Sequence, residues 1–437
     1  MWFDESVFYQ IYPLGYCGAE RENDYQETRH RLHKIKEQIP AIKELGVKAV
    51  LFNPLFESER HGYDTIDFFK VDRRLGTNEE FKELVSALHK EGIRVILDGV
   101  FHHTGREFFP FKEVREKGEG TDYRFWFHIN FNGNSVYNDG FDYLNWEGHP
   151  TLVKLRLENN DVVNYLMDAV RFWINEFDID GLRLDVCYSL PYWFLERLRA
   201  EVNALKPDFF LMGEVIHIGN FKEGVAPNRL NSITNYECYK GLVSAFNSDN
   251  LFEIEHSLTR LFGAQPWCLY TGRNLFSFAD NHDVARLATQ LQDKRKAAAL
   301  YTVLFTMPGI PCIYYGSEYG IEGGKGDGDI HLRPAIEKID QSANPELYRH
   351  IQKLSLIRNA SRALAYGSYD KRVLQNKYFC FERTAEGETI YTAANISDSP
   401  VNFYVCDGEG EDLLSGEACL LSNVSLPPFS SRVIRKK

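Results

Sequence analysis

The sequence of 437 residues predicts a (β/α)8 barrel (TIM barrel) with a small subdomain inserted after the third strand and a C-terminal antiparallel β-sandwich domain. Eight short strand-like runs occur between residues 6 and 318, and amphipathic helical stretches separate most of them. This alternation is typical of βα units in a parallel sheet, and eight strands favour a closed barrel over an open sheet. The length also suits a barrel of about 250 to 400 residues with a small appendage.

The predicted strands follow one another through the first three quarters of the chain. In order, they are SVFYQIYP (6–13), VKAVLFNPLFE (47–57), IRVILDGVF (93–101), IDGLRLDV (179–186), DFFLMGEV (208–215), NSITNYE (231–237), NLFSFADN (274–281) and IPCIYYGSE (310–318). The segment NEEFKELVSALHKEG (78–92) illustrates the helices between them, because Phe81, Leu84, Val85 and Leu88 form one apolar stripe at helical spacing.

Two segments interrupt this alternation. About sixty residues rich in Gly, Asn and aromatic side chains follow the third strand, and loops this long are usually functional. After residue 359 the chain changes to short alternating runs, such as KYFCFERT and SSRVIRKK, with Gly and Ser turns between them. We therefore predict a barrel over residues 1–362, an inserted subdomain over 102–158 and a C-terminal β domain over 363–437.

Composition and charge exclude several classes of function. Hydrophobic residues make up 44% of the chain and charged residues 26%, which is ordinary for a globular enzyme. The net charge of −12 argues against nucleic acid or an anionic membrane as the main partner, because an acidic surface is repelled by both. A neutral or cationic ligand is favoured instead.

The N-terminus and the cysteines indicate where the protein works. The start of the chain, MWFDESVFYQIYP, carries acidic residues where a signal peptide would carry basic ones, and no apolar run approaches the 18 residues of a membrane span. The eight cysteines are scattered without a C-x-x-C pair. We therefore expect reduced thiols and a cytoplasmic protein.

Polar residues gather at the ends of four predicted strands. Arg183 and Asp185 are two residues apart and share one strand face, so opposite charges converge on one spot in an otherwise apolar run. A structural salt bridge is one explanation of this pair. Catalytic groups of a (β/α)8 barrel gather at the C-terminal strand ends, however, and other strands end in further polar residues: Asp98, His102 and His103, then Glu214, then Asn281, His282 and Asp283. Together these positions favour an active site.

In these stretches the chain resembles the α-amylase family of retaining α-glucoside hydrolases and transferases. The matching motifs are DGVFHH (98–103), GLRLDV (181–186), GEV (213–215) and FADNHD (278–283), with HGYDTIDFFKVDRRLGT (61–77) and MPGIPCIYYGSEYG (307–320). The similarity is greatest to the cyclomaltodextrinase, neopullulanase and maltogenic amylase subgroup, although the additional N-terminal domain common there has no counterpart in this sequence.

The resemblance implies a role for each matching residue. Asp185 corresponds to the nucleophile, Glu214 to the general acid/base and Asp283 to the third family carboxylate. His103 and His282 correspond to histidines that bind sugar hydroxyls, and Tyr63 to a ring that stacks under the sugar. We expect Asp98 and Arg183 to complete the substrate-binding set. Arg333, in the last loop, either contacts the second sugar or is a solvated loop charge.

The chemistry of the reaction makes the same demands on the carboxyl groups. Retaining glycoside hydrolysis needs a nucleophilic carboxylate and a protonated carboxyl about 5 to 5.5 Å apart. Arg183 on the same strand face favours the charged form of Asp185. Glu214 lies in the apolar run FFLMGEV, where partial burial favours an acid that can donate a proton.

Two departures from the family pattern affect these expectations. His102 stands where many members have the Asn that binds a structural calcium, and imidazole is a poor calcium ligand. We therefore predict no metal at that position, and no cofactor. VCYSL (186–190) replaces the usual run after the nucleophile, so the acceptor-side specificity is open and Tyr188 is either a stacking residue or a core or surface tyrosine.

The favoured function is hydrolysis of α-1,4 bonds in short malto-oligosaccharides or cyclomaltodextrins. A transferase or an α-1,6-acting glucosidase would use the same carboxylates, so these alternatives stay open. A non-catalytic carbohydrate-binding relative is a third alternative, but such a protein should have lost one of the three acids. The sequence makes no prediction about the oligomeric state.

Overall fold

The computed structural model describes residues 1–437, apart from the side chain of Asp327. Eight parallel strands form the central sheet, and their ranges in chain order define β1 to β8: Phe8–Ile11, Ala49–Phe52, Arg94–Gly99, Gly181–Leu184, Phe210–Gly213, Ser232–Ile233, Phe276–Phe278 and Ile310–Tyr314. Their spatial order is β6, β5, β4, β3, β2, β1, β8, β7. A parallel bridge between Thr234 and Phe276 joins the two ends. The predicted (β/α)8 barrel is confirmed.

Helices surround this sheet and connect its strands. The α-helices are Pro13–Tyr16, His33–Glu37, Ile39–Glu44, Asn78–Lys90, Phe109–Lys117, Asn160–Phe177, Tyr192–Leu205, Tyr236–Ser248, Phe252–Phe262, Leu287–Gln290, Ala297–Thr306, Pro345–Ala360 and Arg362–Tyr366. The helix predicted from the apolar stripe begins at Asn78, where Thr77 and Glu80 form a capping box. Across the described part of the chain, none of the helices combines the length and apolarity needed to span a bilayer.

The insertion after β3 is a small subdomain of short strands around an aromatic core. Its strands are His103–Thr104, Ile129–Asn130, Asp142–Tyr143, Asn145–Trp146 and His149–Lys154. The rings of Phe111, Phe127 and Tyr143 meet edge to face, with centroids 4.9 to 5.2 Å apart. Such contacts bury large apolar rings in preferred geometries, and these rings belong to the same buried cluster as the barrel residues.

The predicted strand over 47–57 is divided in the structure. β2 ends at Phe52, and a separate strand, Phe56–Ser58, pairs with Thr65–Val71 in a hairpin beside the barrel. Pro54 lies between the two strands, and its missing N–H explains why the ladder does not continue through it.

The C-terminal region is an antiparallel β structure, as predicted. The strands Ser368–Leu374, Tyr378–Ala385, Glu388–Asn395, Ser430–Lys436, Glu409–Asp412 and Ala418–Leu420 form one sheet in that spatial order, and Val401–Phe403 pairs with Val424–Leu426 in a second sheet. A separate apolar core that includes Cys380, Tyr391, Val424 and Ile434 lies between them. The two layers form the sandwich-like domain.

The interior of the barrel is apolar in one layer and polar in the next layer along its axis, and the polar layer contains the predicted site residues. Phe8, Ile96 and Met212 belong to one buried apolar cluster. Two residues further along the same strands, side chains on the same face are polar: Gln10 follows Phe8, Asp98 follows Ile96, and Glu214 follows Met212. The C-terminal mouth of the barrel is therefore lined by polar groups that rest on an apolar floor.

Candidate active site

The Arg183 guanidinium, on β4, is the centre of this polar layer. Its Nη1 donates to Asp98 Oδ2 at 2.5 Å and lies 3.4 Å from Asp185 Oδ1, while its Nη2 lies 2.8 Å from Glu214 Oε1. All four side chains are at most 10% exposed. One cation therefore joins the three carboxyl groups that the sequence predicted at the ends of β3, β4 and β5.

The carboxyl group of Asp185 is unfavourable to ionise in this position. Burial raises its pKa well above the ordinary value, and the Glu214 carboxylate raises it further. Arg183 lowers the pKa, which is the direction expected from the sequence, but its effect is outweighed. Arg183 therefore favours the ionised form of Asp185, as expected, but it does not offset the combined effect of burial and Glu214.

The backbone after the nucleophile candidate is strained. Val186 has a φ of +48°, and a β-branched residue in the left-handed region is a rare conformation. This conformation directs the Val186 N–H to Glu214 Oε2 at 3.2 Å. Glu214 thus accepts a hydrogen bond from the backbone next to Asp185 as well as the contact from Arg183, and these two interactions fix its position.

Asp98 is buried, and one of its two carboxylate oxygens has no hydrogen-bond partner among the described residues. Its Oδ2 accepts hydrogen bonds from Asn53 Nδ2 at 3.1 Å and Tyr63 OH at 3.2 Å, in addition to Arg183. Its Oδ1 is buried and has no hydrogen-bond partner among the described residues. A buried carboxylate oxygen without a partner is costly, so this atom is available to a ligand hydroxyl.

His282, after β7, is oriented from both ring nitrogens. Gln10 Nε2 lies 2.9 Å from Nδ1, and Nε2 lies 3.0 Å from Asp283 Oδ2 and also contacts Tyr63 OH. Because the Gln10 amide donates to Nδ1, the Nε2 atom carries a proton that it can donate to Asp283. The ring stacks on Tyr63 with the centroids 5.7 Å apart.

Asp283 is the most accessible of the predicted acids, with 36% of its side chain exposed. Burial acts to raise its pKa, but the charge of His282, the hydrogen bond from His282 and the charge of Arg333 outweigh burial and lower the pKa. Arg333 Nη2 lies 3.1 Å from Asp283 Oδ1, and Arg333 Nε donates to the His282 carbonyl oxygen. Asp283 is therefore a carboxylate at neutral pH.

The two adjacent histidines after β3 are both uncharged at neutral pH. Burial lowers the pKa of His102 to about 4 and that of His103 well below its ordinary value. His103 Nε2 lies 3.9 Å from Asp185 Oδ2 and makes no hydrogen bond within the described residues. Among those residues, no group of three or more His, Cys, Asp or Glu side chains is arranged to hold a metal ion.

Two cavities flank these groups. One of about 640 Å³ borders Tyr12, His61 and Arg333, on the Asp283 side. The other, of about 590 Å³, borders Tyr188 and Val215 and so lies on the Glu214 side. Arg333, which pairs with Asp283, therefore borders one space, and Val215, which follows Glu214 in the chain, borders the other.

The insertion contributes only part of its aromatic residues to this region. Seven aromatic residues of the insertion are candidates either for the wall of the cleft or for packing within the insertion: Phe125, Trp126, Phe127, Tyr137, Phe141, Tyr143 and Trp146. Trp126, Phe127, Phe141 and Tyr143 are buried in the aromatic core of the subdomain. Trp146 lies beside His103, with the ring centroids 6.0 Å apart.

Several residues of the site were not identified from the sequence. Gln10 and Asn53 join the β1 and β2 ends to His282 and Asp98. Tyr236 accepts a hydrogen bond from Asn281 at 3.1 Å, and the nearby Glu214 and Asp283 charges add to the effect of burial in raising its pKa. The signal for Gln10 and Asn53 was present, because both are polar residues two positions after an inward apolar residue of a barrel strand.

Comparison with known proteins places the chain in a family. The alpha-amylase catalytic-domain family matches residues 10–362. A maltogenic alpha-amylase from Bacillus acidopullulyticus is 30% identical over 448 residues, which cover 97% of this chain and 75% of that protein. A cyclomaltodextrinase from a Bacillus species is 31% identical over 90% of this chain and 73% of its own length. A solved cyclomaltodextrinase superposes with a TM-score of 0.86 at 29% identity and covers all of this chain and 78% of that chain.

The chain belongs to the α-amylase family of glycoside hydrolases, and its relatives in that family include maltogenic amylases, cyclomaltodextrinases and neopullulanases.

Proposed function

We propose that this member of the α-amylase family hydrolyses α-1,4-glucosidic bonds in short malto-oligosaccharides or cyclomaltodextrins by a retaining double displacement. Asp185 attacks the anomeric carbon, and Glu214 protonates the leaving-group oxygen and then takes a proton from the attacking water. The observation that carries the proposal is the position of Arg183 between Asp98, Asp185 and Glu214 at the mouth of the barrel.

The charge balance of the site supports this division of roles. Arg183 and Asp98 compensate each other, which leaves Asp185 and Glu214 as two close carboxyl groups that are costly to ionise together. A substrate whose anomeric carbon becomes positive beside Asp185 favours the ionised form of Asp185. Glu214, on the leaving-group side, then acts as the acid of the pair.

The remaining predicted residues bind the sugar whose bond is cleaved. In this proposal, the charged Asp283, the free Asp98 oxygen and the neutral His103 offer hydrogen-bonding groups to its hydroxyls. Tyr63 stacks under its ring, and Arg333 and His282 hold Asp283 in place. Since all of these groups are neutral or already paired, they suit an uncharged sugar.

The two cavities support an oligosaccharide substrate that extends on both sides of the cleaved bond. We propose the cytoplasm as its location, because all eight cysteines are free in the structure and six of them are buried. A transferase and an α-1,6-acting glucosidase remain the alternative assignments for the same carboxylates.

The test is a comparison of kcat/KM on maltotriose, cyclodextrin, isomaltose and soluble starch, at equal concentrations of glucosidic bonds. We expect maltotriose or cyclodextrin to be preferred, with α-anomeric products in the first minutes by proton NMR. A preference for starch would contradict the proposed substrate size, and a preference for isomaltose would contradict the proposed linkage. Initial release of the β-anomer would contradict the double displacement. Products longer than maltotriose as the main outcome would indicate a transferase.

A further inference from the structure

The hairpin whose turn contains Glu147 connects the insertion with the barrel. The strands Asn145–Trp146 and His149–Lys154 pair with Trp146 opposite His149, so Glu147 and Gly148 form a two-residue turn. Glu147 Oε1 accepts a hydrogen bond from Tyr188 OH at 2.9 Å. Tyr188 lies three residues after Asp185, so this bond connects the insertion with the segment that follows the proposed nucleophile.

The backbone of this turn does not explain why a glutamate occupies it. Glu147 has a φ of +46° and Gly148 a φ of +87°, the signs that a type I′ hairpin turn requires. Asn, Asp or Gly is preferred at the first central position of such a turn, because other side chains are strained there. A strained residue whose side chain reaches a cavity beside an active site is a candidate for a functional role.

The cavity beside Glu147 has the composition of a sugar site. Leu190, Tyr192, Val215 and Phe221 give it an apolar wall. Glu147 is the one carboxylate among its described lining side chains, and no second hydrogen bond to its carboxylate occurs within the described residues. An apolar cavity with few well-placed polar groups is typical of a small-molecule site, and a carboxylate is a strong acceptor for hydroxyl groups.

We propose that Glu147 is a specificity-determining residue that binds a hydroxyl of the sugar on the leaving-group side, held in position by Tyr188. The same contact binds an incoming sugar acceptor, so Glu147 favours sugar over water as the acceptor and promotes transfer. This inference rests on the proposed function, because it takes Glu214 as the acid and the cavity next to Val215 as the leaving-group side.

The experiment compares two substrates that share the donor sugar and differ in the leaving group. Maltotriose leaves a glucose in the Glu147 cavity, whereas α-maltosyl fluoride leaves a fluoride ion that makes no such contact. Glu147→Gly suits the turn better than glutamate does, so the fold should be retained. We expect kcat/KM of Glu147→Gly on maltotriose to fall about tenfold or more, the effect of losing a hydrogen bond to a charged group, and that on α-maltosyl fluoride to stay within about twofold.

Three further measurements separate binding from a structural effect. Glu147→Gln should recover part of the activity on maltotriose, because its amide oxygen still accepts a hydrogen bond, and Tyr188→Phe should lose part of it. With added glucose as acceptor, Glu147→Gly should give a lower ratio of transfer to hydrolysis than the wild type. Glu116→Ala, an exposed change on the helix of the insertion that does not line the cavity, is the matched control and should leave both substrates unaffected.

The possible failures are distinguishable. If the wild type is active on both substrates but Glu147→Gly lowers both equally, or neither, Glu147 does not bind the leaving-group sugar. An unchanged ratio of transfer to hydrolysis would likewise remove its role in acceptor choice. If the wild type is inactive on both maltotriose and α-maltosyl fluoride, the proposed function fails, and the Glu147 assignment fails with it.

Discussion

Replacing Asp185 by Asn should have opposite effects on activity and on stability. The substitution removes the proposed nucleophile, so turnover of maltotriose should fall by several orders of magnitude. It also removes a carboxyl group whose pKa is raised by burial and by Glu214. Because the asparagine side chain is nearly isosteric and uncharged, the folded state should become more stable at neutral pH.

The sign of the stability effect and its dependence on pH follow from linkage. A carboxyl whose folded-state pKa lies above its unfolded value contributes stability at pH values below the unfolded value, and this contribution is lost as the pH rises through the folded value. Asp185→Asn should therefore be more stable than the wild type at pH 8, and the difference should be smaller at pH 5.

Urea denaturation of both proteins at the two pH values measures this difference, with kcat/KM on maltotriose measured on the same preparations. Asp398→Asn, at an exposed position of the C-terminal domain, is the control for loss of a carboxylate elsewhere. Retention of more than about a tenth of wild-type activity would remove Asp185 from the mechanism. A stability difference that is negative, or equal at both pH values, would refute the electrostatic reasoning.

Two other predictions concern Glu214 and Glu318. Glu214→Gln should lower activity on maltotriose by at least about a hundredfold. It should retain most of the rate at which the glycosyl-enzyme forms from α-maltosyl fluoride, because fluoride leaves without an acid. Stopped-flow kinetics measures this rate, and equal losses on both substrates would contradict the acid role of Glu214. Glu318 is buried and accepts a hydrogen bond from Tyr9, and burial raises its pKa from 4.5 to about 7. Its protonated form therefore stabilises the fold below pH 4.5. This contribution is lost as the pH rises through 7. Relative to Glu318→Gln, the wild type should lose about 2 to 3 kcal/mol of unfolding free energy between pH 5 and pH 8. If the unfolding free energies of the two proteins change in parallel with pH, the pKa of Glu318 is not raised.

The sequence predicted the number and order of the barrel strands because each strand is a local pattern. A run such as IRVILDGVF is apolar on both faces, as a strand buried between helices and a barrel interior must be, and the strand over Arg94–Gly99 falls within it. The strand ends were less predictable. β4 stops at Leu184, before the pattern does, because the strained Val186 turns the chain towards Glu214.

The partners of the predicted residues could not be derived from the sequence. Gln10 and His282 are 272 positions apart, and their contact depends on the closure of the barrel between β1 and β7, with β8 between them. Glu147 was missed for a similar reason. Its place beside Tyr188 depends on how the insertion folds back over the barrel, and nothing in the local sequence EGHP specifies that path.

The excess negative charge at the mouth of the barrel both lowers the stability of the folded protein and supports its proposed chemistry. One guanidinium faces three carboxyl groups, so the site carries more negative charge than it compensates, and this excess lies out of contact with water. Such an arrangement destabilises the folded protein without substrate, which is why the pKa of Asp185 is raised. The same excess becomes favourable when positive charge develops on a sugar, because fixed charges act more strongly in a buried site than in water.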